Sequence, residues 1–190
     1  MSIIITMKGK LFAVFCLLVL PTILHSQETA GPGAETVVLP RQFRQIALGM
    51  SLDGLKDALL EDALFAFRGD RDVSFIPVRE ESLVETTGSS FVRRAFFQLR
   101  DGGLFIISLS MNTALVDYHS MFVTFTGRYG DPILLNPRES VWDDGTTRIS
   151  LERPLTVRYI DRAVFDDIVN ESLLVDSRRV QEKQEFLDEF

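Results

Sequence analysis

Two runs of strand-forming residues, 91–99 and 104–111, face each other across Arg100-Asp101-Gly102-Gly103. Asp-Gly supplies the positive φ angles that a tight turn between antiparallel strands requires, so the two runs are predicted to form a hairpin. A lone hairpin is marginal in water and needs further strands or a helix against its apolar face. This stretch therefore commits the chain to antiparallel sheet with something laid over it. Phe97, Leu99, Leu104 and one of Phe105 and Ile106 are expected to share the buried surface.

A second hairpin signal follows. Val141 and Trp142 precede Asp143-Asp144-Gly145, and residues 147–151 return; residues 155–160 read as a further strand. Residues 72–78 alternate and suit an edge strand, because Pro77 cannot donate to a ladder. Residues 80–90 read as a polar loop or a weak strand pair. Before the first hairpin, Ser51 can cap a helix whose first turn holds Asp53 and whose apolar face carries Leu52, Leu55 and Leu59, with Leu60 as a candidate fourth member; it should end near residues 62–65. Before the second, residues 117–129 fit a helix with Tyr118, Met121, Phe122 and Phe125 on one face. Phe122-Val123-Thr124-Phe125 also fits a strand, and Gly127 or Gly130, with Pro132, would stop the helix. A third helix is expected over residues 162–174, burying Val164, Phe165, Ile168 and Val169.

The fold class is therefore α+β: an antiparallel sheet with two or three helices. The order repeats, helix then hairpin, with half-repeats at 46–112 and 115–160. Gly49-Met50-Ser51-Leu52-Asp53, followed by Leu55 and Leu59, resembles the first helix of the small envelope modules of the SmpA/OmlA (BamE) type. Phe122, Phe125, Tyr129, Gly130 and Pro132 match a helix ending in aromatic-Gly-x-Pro, as a second such unit would. Two units in tandem are also the plan of the β-lactamase-inhibitor-protein fold. The resemblance spans about residues 46–160, and it implies a non-enzymatic module that binds other envelope proteins. This sequence departs from the pattern in lacking a lipidated cysteine at the mature N-terminus and in the length of its 80–90 segment.

The N-terminus reads as an export signal. Lys8 and Lys10 make a positive start, residues 11–20 are apolar apart from Cys16, and Pro21 opens a more polar exit. The cut is placed after Ser26, within a few residues, and Met7 offers an alternative start. The alternative is an uncleaved anchor, because residues 3–5 would lengthen the apolar stretch toward the roughly 20 residues of a span. A lipidated Cys16 fits badly, since Phe15 precedes it and the apolar run continues past it. The layout expected is a signal peptide at 1–26, a Gly/Pro-containing linker at 27–37, one domain at 38–175 and a charged helix or tail at 176–190.

Removing the leader narrows the chemistry. It carries away the only cysteine and His25, and it takes the net charge from −7 to −9. His119 is then the sole histidine, which excludes zinc sites built on His or Cys and most His-dependent triads. So acidic a domain repels nucleic acid and anionic lipid. No metal and no cofactor is expected, and with the leader gone no integral membrane span.

The remaining candidates each have a plainer reading. Asp143, Asp144, Asp161, Asp166 and Asp167 could offer oxygens to Ca²⁺, but they lack calcium-loop spacing and suit turns and helix ends. A carboxylate pair for glycoside hydrolysis is not set apart among 27 acids. Ser89 and Ser90 lack a nucleophile elbow. Arg68-Gly69-Asp70 is the integrin-recognition tripeptide, expected on a surface turn, and is short enough to arise by chance. Arg93 and Arg94, adjacent in a strand, are expected on opposite faces. With Arg148, Arg153 and Arg158 they form an arginine stripe that would hold an anionic ligand or partner peptide. The plainer reading is cross-strand pairing with Glu85, Glu152 or Asp161. Trp142, beside a turn, is expected to be partly exposed.

These readings converge on a non-catalytic, exported binding or assembly module, periplasmic or envelope-associated, with an envelope protein as partner. The contact set expected is Arg93, Arg94, Trp142, Arg148 and Arg158. The alternative is a small-ligand or carbohydrate binder using an arginine-lined sheet face, and a carboxylate-based hydrolase comes third.

Overall fold

The computed structural model describes residues 37–76 and 81–190. The expected leader, all of the linker except its last residue, and Pro77 lie outside the described residues.

A short ribbon, β1 (Gln42–Phe43) and β2 (Ile46–Ala47), leads into α1 (Leu52–Glu61). Ser51 caps α1 by accepting the Gly54 N–H at 3.2 Å, and Leu55, Ala58 and Leu59 are buried at the spacing of one helical face. The helix stops where the Asp62 carboxylate turns back to accept the Leu64 N–H at 2.9 Å and the Arg44 guanidinium at 2.6 Å. Four strands follow: β3 (Val73–Ile76), β4 (Glu81–Thr87), β5 (Val92–Arg100) and β6 (Gly103–Met111). Then the pattern recurs. Asp117 caps α2 (Tyr118–Tyr129), and β7 (Leu134–Leu135), β8 (Glu139–Asp143), β9 (Thr147–Glu152) and β10 (Thr156–Asp161) come after it. The tandem unit is thus a helix and four strands, twice over.

The eight strands form one antiparallel sheet in the order β3-β4-β5-β6-β10-β9-β8-β7. Each half runs from an outer edge inward, and the last strands of the two halves pair at the centre, Arg158 opposite Ser108. The expected Asp-Gly hairpin joins β5 to β6, with Asp101 at φ 50° and Gly102 at φ 77°. Residues 122–125, compatible with either element by pattern, are helical, and Gly130 at φ 75° ends α2. The 80–90 segment is not a loop: β4 pairs along its whole length with β5, with Val84 and Thr86 buried.

The core lies on one face of the sheet. Val84, Phe97, Ile107, Leu109, Ile149, Leu151 and Val157 point from successive strands toward α1, α2 and the ribbon. Burial of such side chains is the main stabilising term, at about 1.5–3 kcal/mol each. On the opposite face a small apolar patch lies at one end, where Phe105, Ile106 and Ile160 meet Val164, Phe165 and Ile168 of α3 (Arg162–Leu187). Val169, expected in that contact, is 40 % exposed. The helix crosses the residue 175–176 boundary without a break, and every residue from 169 onward is exposed. Among the described residues no helix is long and apolar enough to cross a membrane.

Candidate functional site

Strand alternation decides which of the singled-out residues can act together. On β9, Ile149 and Leu151 face the core, so Arg148, Ser150 and Glu152 face the other way. The register places Arg158 beside Ser150 on one side and Ser108 on the other, and continues through Phe96 to Glu85. The adjacent row holds Glu139, Glu152, Thr156, Ser110 and Arg94. This open face therefore has a floor of small hydroxyl residues at the centre, Ser108 and Ser150 both buried, ringed by arginines and glutamates.

The arginines are held, not loose. Arg158 pairs with Glu152 at 3.1 Å, and Glu152 accepts the Ser150 hydroxyl at 2.9 Å. Arg94 pairs with Glu85 at 3.1 Å, and Arg93 donates to the Ser110 hydroxyl at 3.2 Å. Asp143 takes Arg148 at 3.0 Å and Arg162 of α3 at 3.4 Å. Two of the cross-strand partners expected from the sequence, Glu85 and Glu152, are thus in place. Asp161 instead pairs with Arg41 and caps α3. Such exposed pairs add little stability, but they fix long side chains over the sheet and leave guanidinium edges available. The face carries two neighbouring depressions. One, of about 380 Å³, is bounded by Ile106, Val141, Arg148, Ser150, Arg158 and Phe165. The other, of about 440 Å³, lies between Arg138, Glu139, Glu152, Arg153 and Arg158.

Two expectations are corrected. Arg93 and Arg94 are not on opposite faces. A register shift between Val92 and Arg94 makes Arg93 the extra residue of a bulge, so both arginines are exposed while the flanking Val92 and Ala95 are buried. Trp142 is not part of the arginine face and is only 2 % exposed. It pairs with Ile149 in the ladder, so it shares the core face. There its ring meets Phe125 edge-on at 5.5 Å and its indole N–H donates to the Gly130 carbonyl at 2.8 Å. Being next to a turn says nothing about which face a residue joins.

The other candidates are engaged within the fold. Asp144 accepts backbone N–H groups from Leu39, Thr146 and Thr147 at 2.7–2.9 Å. Burial opposes its charge, but those donors outweigh burial and hold the carboxyl below the ordinary value. Ser89 donates to the Ala63 carbonyl at 3.0 Å, tying the β4–β5 connection to the end of α1. His119 is exposed on α2, at the opposite side of the sheet. In the Arg68-Gly69-Asp70 turn, Arg68 is forked onto Asp72 at 2.9 and 2.6 Å and Asp70 takes Lys56 at 2.8 Å. The Asp70 carboxyl is lowered, first by that hydrogen bond and then by the lysine charge. Sequence reasoning missed the serine floor and Glu139. The signal was a pair of serines two residues apart on β6, Ser108 and Ser110, and Ser150 on β9, visible once the strand phase is known.

Fold and face together define a tandem α+β module with one covered and one open sheet surface. The chain belongs to the TP0088 domain family, whose model matches residues 41–171, more than two-thirds of its length. That match ends at Glu171, close to where α3 leaves the sheet. No curated protein matches the chain, and no solved structure does.

Proposed function

We propose that the chain is a non-catalytic binding or assembly module, exported to the periplasm or envelope, that docks a protein partner on its open sheet face. The observation that carries this reading is the contrast across β8, β9 and β10. One side of these strands is packed under α2; the other presents Arg148 and Arg158, and Arg94 joins them from β5 across the same open face, all three preset by carboxylates around a hydroxyl floor. A surface of fixed guanidinium edges and small residues suits a protein partner with acidic and planar groups. The leader-like N-terminus supports export, and the tandem helix-and-strand order supports kinship of plan with SmpA/OmlA-type envelope modules.

The test is comparative capture from an envelope extract with three baits: the unaltered chain, an Arg94→Glu/Arg158→Glu double variant and a Lys56→Glu variant on α1. The reading expects one specific protein to be retained by the first and third baits and lost with the second. Equal retention by all three, or loss only with Lys56→Glu, would remove the open face from the account.

The second reading, a carbohydrate or small polar ligand, rests on the 380 Å³ depression with Ser150, Arg148 and Arg158 at its wall. A glycan array binding the unaltered chain but not Arg158→Ala would favour it.

A further inference from the structure

The core face is not closed everywhere. Between the β1–β2 ribbon and α2 lies a cleft of about 580 Å³, within the range of small-molecule pockets. Its floor is Leu109, Met111 and Val157, from the two central strands, and Phe43 and Phe125 stand on opposite walls. Nothing in the proposed partner-binding role uses this cleft, which lies on the other side of the sheet.

Three of its polar groups, Tyr159, Tyr129 and Arg128, act on one another. Tyr159 is 7 % exposed and lines the cleft, its ring 6.4 Å from Phe43. Among the described residues no group hydrogen-bonds its hydroxyl, and that oxygen is not one of the buried unpartnered atoms, so it is open to a ligand in the cleft. Burial pushes the phenol up to about 12, Tyr129 pushes it in the same direction, and Arg128 acts the other way, so the three groups sit within electrostatic reach. The phenol stays a proton donor at every physiological pH. Arg128 is exposed at the cleft rim, in the last turn of α2, and among the described residues it has no carboxylate partner. It differs in this from Arg44 on the facing wall, which is tied to Asp62.

We propose that this cleft binds a small amphiphile with an apolar body and a single carboxylate head, of the medium-chain fatty acid type. The body lies on Leu109, Met111 and Val157 between the two phenylalanines. The head accepts hydrogen bonds from the Tyr159 and Tyr129 hydroxyls and faces the Arg128 guanidinium. One free cation and two phenols match a monoanion; a phosphate dianion would ask for more positive charge than this acidic chain places here.

The probe is decanoate below its micellar concentration, titrated into the purified chain and followed by calorimetry. Fluorescence of Trp142, the only tryptophan, provides a second readout through its contact with Phe125. Saturable one-to-one binding is expected, weakened about tenfold or more in Arg128→Gln and several-fold in Tyr159→Phe. Decanol should bind at least tenfold more weakly than decanoate and be indifferent to Arg128→Gln. Both variants remove atoms at or beside the open cleft, and unchanged melting curves verify that they fold. Absence of saturable binding to the folded chain, or decanoate affinity unchanged in both variants, would overturn the proposal. Equal affinity for decanol and decanoate would overturn the carboxylate assignment.

Discussion

The two faces of one strand behave like two different proteins. On β9, Ile149 and Leu151 are wholly buried beneath α2, while Arg148 and Glu152, one residue away along the backbone, stand on the open side. The covered face is a continuous apolar core from Val84 to Trp142. On the open face the first turns of α3 pack on Phe105, Ile106 and Ile160, and buried Val141 lies beside Leu134 of β7. Stability is therefore concentrated on one side. The residues of the other side are free to serve recognition, because changing them costs the fold little.

The largest effect that would break this contrast is at Trp142. Trp142→Ala should destabilise the chain by about 3–5 kcal/mol in urea unfolding, through lost packing on Phe122 and Phe125 and a lost hydrogen bond to Gly130. A cost below about 1 kcal/mol would mean that the ring is not core.

A middle effect is expected where the two faces meet at the β8–β9 turn. Asp144→Ala leaves three backbone N–H groups without their acceptor and should cost about 1–3 kcal/mol. The Asp144 carboxyl is held below its ordinary 3.8, so its contribution is complete above that value and is lost as pH falls through the lowered one. Acid unfolding of Asp144→Asn should accordingly show a shallower fall in stability below pH 4 than the unaltered chain. A parallel fall would contradict the assignment.

The smallest effects are predicted on the open side. Arg158→Ala should change stability by no more than about 0.5–1 kcal/mol, as for exposed ion pairs. Deleting residues 172–190, all exposed, should leave the melting temperature within a few degrees, because Val164, Phe165 and Ile168 remain docked. A large loss in either experiment would show that the open side contributes to the core.

Much of the covered face could be read from the sequence, because its signals are local. Ser51 is a capping residue, Asp101-Gly102 demands a tight turn, and Leu55 and Leu59 recur at helical spacing. What escaped was set by pairing partners. β4 was obscured because its open-face residues, Glu81, Leu83 and Glu85, mix charge into the alternation that Val84 and Thr86 carry toward the core. The bulge at Arg93 has no residue signature, so two adjacent arginines were expected to diverge when both reach the open side. Trp142 was placed by its nearness to a turn, whereas its partner Ile149 decides its face. The amphiphile cleft draws on residues near 43, 110, 125 and 158, and no window of sequence contains it.

The division of labour between the faces can be tested with single-cysteine chains, since Cys16 is the only native cysteine and can be replaced in every variant. A benzophenone maleimide at Ser110→Cys reports the open face, and one at Asp57→Cys reports the α1 side. Irradiation in an envelope extract should cross-link one specific protein from position 110 and not from position 57. Cross-links to that protein from position 57 alone, or equally from both positions, would contradict the assignment of recognition to the open sheet face.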